Sequence, residues 1–348
     1  MVPWREAVEA GGLMVYPEPI VEHVRRAAFH IDRILKGTRA ADRPVEQPSS
    51  NKPLQPIARA GVSRADPHLG GVTLPTIEVN GTELFYRVEG KGEPLVLVHG
   101  SWGDHFNWQL VAPELARSFR VLTYDRRGHS QSQRPAEGTR QDDEDDLGAL
   151  LESLAFAPAH VAGNSFGASI ALGLATRRPE LFRTLVVHEP PLLAITAEDP
   201  AITPVLAEFQ TRIVAVIKRL EGGDIPGGAR QFVEEVALGA GAWDQLPPQV
   251  RETFVTNALT FPDEQKDPDW TSLALSALSG FPSPVLLSEG DQSLPWFPAI
   301  NRQLSQILKN SKRHVFAGAG HIPHMTHPQE YVRTVTDFIR GAGPRTSA

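Results

Sequence analysis

The chain has 348 residues, 41% of them hydrophobic, 22% charged and 7% aromatic. This suits one large domain with an appendage and excludes wholesale disorder or a fibrous repeat. Lys plus Arg number 34 against 41 Asp plus Glu, a net charge of −7 with no evident basic patch, so a nucleic-acid partner is not expected. The absence of cysteine rules out disulfides, thiolate nucleophiles and Cys-based zinc sites.

The start, MVPWREAVEAGG, lacks the basic-then-apolar pattern of a secretory signal, and no run approaches the 18 apolar residues of a membrane span. A cytoplasmic protein without a membrane partner is the expectation. Residues 1–75 carry 9 of the 30 prolines and a charge of +2, which leaves −9 for the remainder. Within them Ile20, Val24, Ala27, Ile31 and Ile34 recur at helical spacing and Gly37 supplies a stop, so one amphipathic helix is expected there. From Arg43 to Pro75 repeated prolines and glycines break any period, as in a mobile linker. The run from about residue 11 to 52, GGLMVYPEPIVEHVRRAAFHIDRILKGTRAADRPVEQPSSNK, resembles the C-terminal tail of ABC-transporter substrate-binding proteins. Neither ligand-binding lobe accompanies it, so the resemblance implies a shared fragment and no transport function.

From Thr76, TIEVNGTELFYRV reads as a hairpin turning at Asn80-Gly81, a dipeptide that accepts positive φ at both turn positions. PLVLVHG, RVLTYD, HVAGNS, TLVVHE and PVLLSEG follow as short apolar runs separated by helical periodicity, the signature of a mostly parallel α/β sheet. Residues 192–279 break the alternation with helical stretches such as PVLAEFQTRIVAVIKRL and read as a helical insertion. The expected division is therefore an extension over 1–75, a core over 76–191 and 280–348, and a lid over 192–279.

Gly163-Asn164-Ser165-Phe166-Gly167 lies between a strand-like and a helix-like segment, the context in which G-x-S-x-G thrusts a serine out of a strained turn. A serine hydroxyl needs an imidazole to take its proton. His321, in GAGHIPHMTHP near the C-terminus, is the candidate, with His324 and His327 as neighbours that lack an acidic ligand set for a metal. The imidazole in turn needs a carboxylate at a strand end. Asp291, closing PVLLSEGD, is preferred, and Glu189 in VVHEPP competes.

Two N–H donors must face the oxyanion of a tetrahedral intermediate. Phe166 supplies one, and the loop His99-Gly100-Ser101-Trp102-Gly103 supplies the other through Ser101, with Trp102 second. His99 itself reads as a brace for this loop. Trp102, Phe106 and Trp296 are candidates to line an apolar substrate pocket. The acidic run Asp142 to Asp146 reads as a solvated helix start, favourable to the helix dipole.

Taken in order, HGSWGDHFNW, YDRRGHSQS, GNSFG, SEGDQSLP and GAGHIPHMTHP resemble the α/β-hydrolase superfamily over roughly Thr76 to Arg340. The resemblance implies an eight-stranded, mostly parallel sheet flanked by helices, a helical lid inserted after the sixth strand, and a Ser-Asp-His triad that carries over to Ser165, Asp291 and His321. It implies no organic or metal cofactor. Ser288 stands where many relatives have glycine, as do His129 and Ser130 in YDRRGHSQS, and serine at 165 argues against the aspartate nucleophile of haloalkane dehalogenases and epoxide hydrolases.

The activity expected is hydrolysis of a small-molecule carboxylic ester or lactone through an acyl-enzyme on Ser165. The same triad also serves C–C or amide hydrolysis or cofactor-free perhydrolysis, and a ligand-binding receptor on a hydrolase scaffold is the reading of another class. A chain that starts at Val72 is expected to keep its kcat and solubility; a large loss of either on this truncation would show that the extension contributes.

Overall fold

The computed structural model describes residues 75–135 and 138–343. The helix and linker expected in the extension, and the resemblance of residues 11–52, lie outside the described residues. Those described form an eight-stranded sheet. Its strands are β1 (Thr76–Val79), β2 (Thr82–Glu89), β3 (Glu93–Val98), β4 (Phe119–Tyr124), β5 (Ala159–Asn164), β6 (Phe182–His188), β7 (Val285–Gly290) and β8 (Ser311–Phe316). Helices of seven residues or more are α1 (Arg140–Ser153), α2 (Phe166–Arg177), α3 (Thr203–Glu221), α4 (Ile225–Gln231), α5 (Pro248–Asn257), α6 (Thr260–Lys266), α7 (Trp296–Ile307) and α8 (Pro328–Gly341).

The spatial order of the strands is β1-β2-β4-β3-β5-β6-β7-β8. β3 to β8 run parallel, while β2 is antiparallel to both β1 and β4. Val79 faces Thr82 across the expected two-residue turn, in which Asn80 and Gly81 have φ of 48° and 71°. The central strands are apolar on both sides because both faces of the sheet are covered. Val96 and Val98 pack with Val161, Val285 and Leu287 against Leu172 and Leu174 of α2 and Ile300 and Leu304 of α7. The alternate residues Leu95, Leu97, Ala162 and Leu286 pack on the other face against Val111, Leu115, and Tyr331, Val335 and Ile339 of α8. β1 and β8 are the edge strands, and of β8 only Phe316 is buried.

Between β6 and β7 the chain is helical, with α3 to α6 forming an insert. Its own core gathers Ile213, Val216, Leu220, Phe232 and Phe261 around Trp102 of the loop after β3. Among the described residues no helix is long and apolar enough to cross a membrane.

The acidic run does not form the solvated helix start expected from the sequence. Thr139 and Asp142 close a capping box at the start of α1, but Asp143, Glu144 and Asp146 are buried. Each carboxylate meets an arginine. Arg126 holds Asp143 through Nε (3.2 Å) and Nη2 (2.8 Å), Arg127 holds Asp146 at 2.7 Å through both Nε and Nη2, and Glu144 lies 2.9 Å from Arg177. Burial is tolerated because each of these carboxylates has a guanidinium partner.

Arg126 is itself buried and also bonds Glu264 of α6 at 2.9 Å, tying the insert to the sheet-flanking helix α1. Removing one partner of a buried ionic cluster leaves the others uncompensated, at a cost of about 3–5 kcal/mol. Arg126→Met is expected to lower the unfolding free energy by about that amount, read from the denaturant midpoint at unchanged m. A loss under about 1 kcal/mol would show that the cluster does not hold the insert.

Candidate active site

β5 ends at Asn164 and α2 begins at Phe166, so the chain must reverse within one residue. That residue is Ser165, at φ 55° and ψ −125°, a conformation a side chain occupies only under constraint. Its N–H donates to His188 O at 2.9 Å, and its carbonyl accepts from Ala168 and Ser169 in the first turn of α2. The flanking glycines are required by contact. A Cβ on Gly163 would lie 2.5 Å from Gly167 O, and one on Gly167 would lie 2.3 Å from Val98 O. Phe166 is the first residue of α2, so its N–H has no partner within the helix.

The loop after β3 lies directly against this turn. Gly100 sits so close that a Cβ there would be 2.9 Å from the Ser165 Cβ. His99 is buried, and its Nε2 accepts the Arg126 N–H at 3.0 Å, so Nδ1 is the protonated nitrogen and donates to Gly100 O at 2.8 Å. Burial pushes the ring well below the ordinary histidine range, helped by His129 and Arg126, and it is a neutral brace.

His321 comes from the loop after β8. Its carbonyl accepts from Asn164 Nδ2 at 3.0 Å, and its ring stacks on Phe297 with centroids 5.0 Å apart and planes 18° apart. Its Nδ1 lies 2.6 Å from Glu189 Oε2. Glu189 is fully buried one residue past β6, at φ 47°, and its Oε1 accepts the Gly290 N–H at 2.8 Å.

Burial alone would push this carboxyl up. The neighbouring His188 and the hydrogen bond from His321 outweigh it and hold the group well below the usual carboxylate range, at about 2. The folded pKa being the lower one, this pair contributes stability that is present above the unfolded carboxylate pKa of about 4.3 and is lost as pH falls towards 2. An ionised Glu189 only accepts, so the proton resides on Nδ1 of His321 and Nε2 is left as a base.

The expected pairing of Asp291 with His321 is corrected by this geometry. Asp291 is exposed, and its Oδ1 accepts from Gly318 N–H at 2.8 Å and Gln292 Nε2 at 3.1 Å, turned towards the loop that follows β8. β6 is the immediate neighbour of β5, whereas β7 is one strand further out. The residue one step past β6 is therefore beside the serine turn, and its positive φ and longer side chain direct its carboxylate at the ring.

Ser165, His321, Ser101, Trp102, Phe106 and Trp296 all line one cavity, whose empty space is about 1330 Å³ with its open mouth included. Trp102 is fully buried and stacks on Phe232 at 4.4 Å, Trp296 packs edge-on against Phe209, and Phe106 remains partly exposed. The Phe166 ring lies elsewhere, under the Arg126 guanidinium at 4.8 Å, so only its backbone is available to the site. Sequence reasoning missed the insert's share of the wall, Phe209, Ile213, Phe232 and Phe254 among it, since helical spacing alone does not say what a face packs on. His324 is buried against Trp108 and Tyr331, and His327 bonds Thr326 at the surface, so neither joins His321.

Residues 95–334 match a family model described as alpha/beta hydrolase family. The chain is 32% identical to 2-hydroxymuconate semialdehyde hydrolase of Pseudomonas sp. (strain CF600), over 73% of this chain and 89% of that one. It is 28% identical to pimeloyl-[acyl-carrier protein] methyl ester esterase of Photobacterium profundum, over 74% and 99% respectively. Among solved structures, Est816, an N-acyl homoserine lactone degrading enzyme, matches with a TM-score of 0.61 at 21% identity, over 76% of this chain and 100% of that one, a likeness of fold.

Two isosteric substitutions separate the carboxylates. Glu189→Gln is expected to lower kcat on an activated ester by about 10³- to 10⁴-fold, whereas Asp291→Asn should change it less than about fivefold. The opposite ranking in steady-state kinetics would return the role to Asp291.

Proposed function

Because the chain belongs to the alpha/beta hydrolase family and is a hydrolase, we propose that it cleaves an uncharged carboxylic ester or lactone with an apolar acyl part, through an acyl-enzyme on Ser165. The observation that carries this reading is the 2.6 Å contact of Glu189 with His321 Nδ1, which leaves Nε2 as a base on the cavity that Ser165 also lines.

In this mechanism His321 Nε2 takes the Ser165 proton as Oγ attacks the carbonyl carbon. The resulting oxyanion receives the backbone N–H groups of Phe166 and Ser101. His321 then returns the proton to the leaving alkoxide, and in the second half it deprotonates the water that releases the acid and frees Ser165. Glu189 stabilises the transient imidazolium and fixes the ring tautomer. The insert, residues 192–279, acts as the lid whose aromatic and aliphatic side chains select the substrate.

The wall of the cavity supports a neutral substrate. Its described lining includes Phe209, Phe232, Phe254, Trp270 and Trp296 together with the carboxylate of Asp104, and among those described residues there is no lysine or arginine to meet an anionic acyl group. The relative at 32% identity favours a second reading, hydrolysis of a C–C bond in a carboxylate substrate by the same three residues.

Activity-based labelling with a fluorophosphonate, followed by turnover of p-nitrophenyl esters graded by acyl length, of lactones and of a 2-hydroxy-6-oxodienoate, tests these readings together. Labelling is expected in the wild type and absent in Ser165→Ala, with kcat/KM highest for neutral medium-chain esters or lactones. Preferential cleavage of the dienoate would establish the C–C reading, and neither labelling nor turnover would favour a receptor.

A further inference from the structure

The loop that carries the second oxyanion donor contains a strained residue. Trp102, next to Ser101, has φ 65°, and Ser130, in the loop after β4, has φ 41°. Non-glycine residues persist in this region only when their surroundings over-determine them. One side chain of the insert is bonded to both positions. Asn257, the last residue of α5, is completely buried. Its Nδ2 donates to Gly103 O at 2.8 Å and to Trp102 O at 3.3 Å, and its Oδ1 accepts the Ser130 N–H at 2.7 Å.

Two further contacts close the arrangement. Ser130 Oγ and Thr253 Oγ1, the latter one turn before Asn257 on α5, both donate to Asp104 Oδ2, at 2.8 and 3.2 Å. Phe232, Phe254 and Phe261 of the insert pack against the Trp102 ring. The carbonyls of 102 and 103 are thus held by the insert, while His99 braces the loop from below through the carbonyl of 100. The Ser101 N–H lies in the plane of the Gly100 carbonyl that His99 holds, and the anchored carbonyls of 102 and 103 fix the course of the loop that follows it.

We infer that Asn257 is a positioning residue for catalysis: it reaches from the insert to hold the carbonyls of 102 and 103, so that the loop presenting the Ser101 N–H keeps its place against Ser165. Asn257 is not among the residues that line the cavity. The inference rests on the ester-hydrolase reading above, since it concerns the charge that develops on the carbonyl oxygen.

The test uses the full-length protein with Asn257→Asp, which keeps shape and the acceptor towards Ser130 but presents a carboxylate oxygen to two carbonyls, and Asn257→Ser, which shortens the side chain without adding charge. Sites competent for catalysis are counted by fluorophosphonate labelling taken to its endpoint, and kcat is expressed per labelled site. Loss of a single oxyanion donor lowers kcat by about 10²- to 10³-fold. Both variants are expected to fall by about 10²-fold per labelled site, with KM within about threefold and the second-order labelling rate falling in parallel.

A kcat per site within about twofold of wild type in Asn257→Ser, or a loss confined to KM or to the number of labelled sites, would overturn the assignment. Should Asn257→Asp fail to fold, the serine variant alone decides. A wild type that neither labels nor turns over esters would sink the hydrolase reading itself, and the positioning role with it. Active wild type with active variants would sink the positioning role alone.

Discussion

The site depends on how closely three backbone segments approach at the carboxyl ends of β3 and β5. Gly163, Gly167 and Gly100 leave no room for a Cβ, and between them Ser165 is held in a conformation that costs of order 1–3 kcal/mol. The sheet sustains that strain through the parallel ladder of β3, β5 and β6 and through the burial of alternate residues on both of its faces. The same crowding that strains the serine brings Gly100, in the loop after β3, against it. The turn at Ser165 and the loop after β3 therefore share one constraint, the contact between their backbones.

Around this point the polar groups are buried in matched sets. Glu189 is paired with His321 and capped by Gly290 N–H, Arg126 faces two carboxylates, and His99 is neutral because burial disfavours its charge. Glu189, Arg126 and His99 Nε2 each meet a partner from another segment of the chain. A low dielectric strengthens such contacts and makes an unmatched one expensive, so the networks rigidify the loops that they connect.

Much of the fold was legible in the sequence because its signals are local. The Asn80-Gly81 turn, the apolar runs of β3 to β7 and the glycine-flanked serine each declare themselves within ten residues, and the late position of His321 followed from the order of the motifs. The choice between Glu189 and Asp291 was not local. Both stand one residue past a strand, and only the adjacency of β6 to β5 and the positive φ at 189 decide which reaches the ring. The acidic run at 142–146 misled for a similar reason, its arginines lying in a different loop and a different helix. Asn257 carried no motif at all, and its partners stand 127 to 155 residues away.

The two carboxylates around Arg126 come from opposite sides of a boundary, Asp143 from a helix that flanks the sheet and Glu264 from the insert. A hinged swing of the whole insert would part Glu264 from Arg126 and leave the buried guanidinium with one carboxylate fewer. Opening the chamber as one piece would therefore carry the cost of that broken pair, a cost that a rotation of the exposed Phe106 at the rim does not incur.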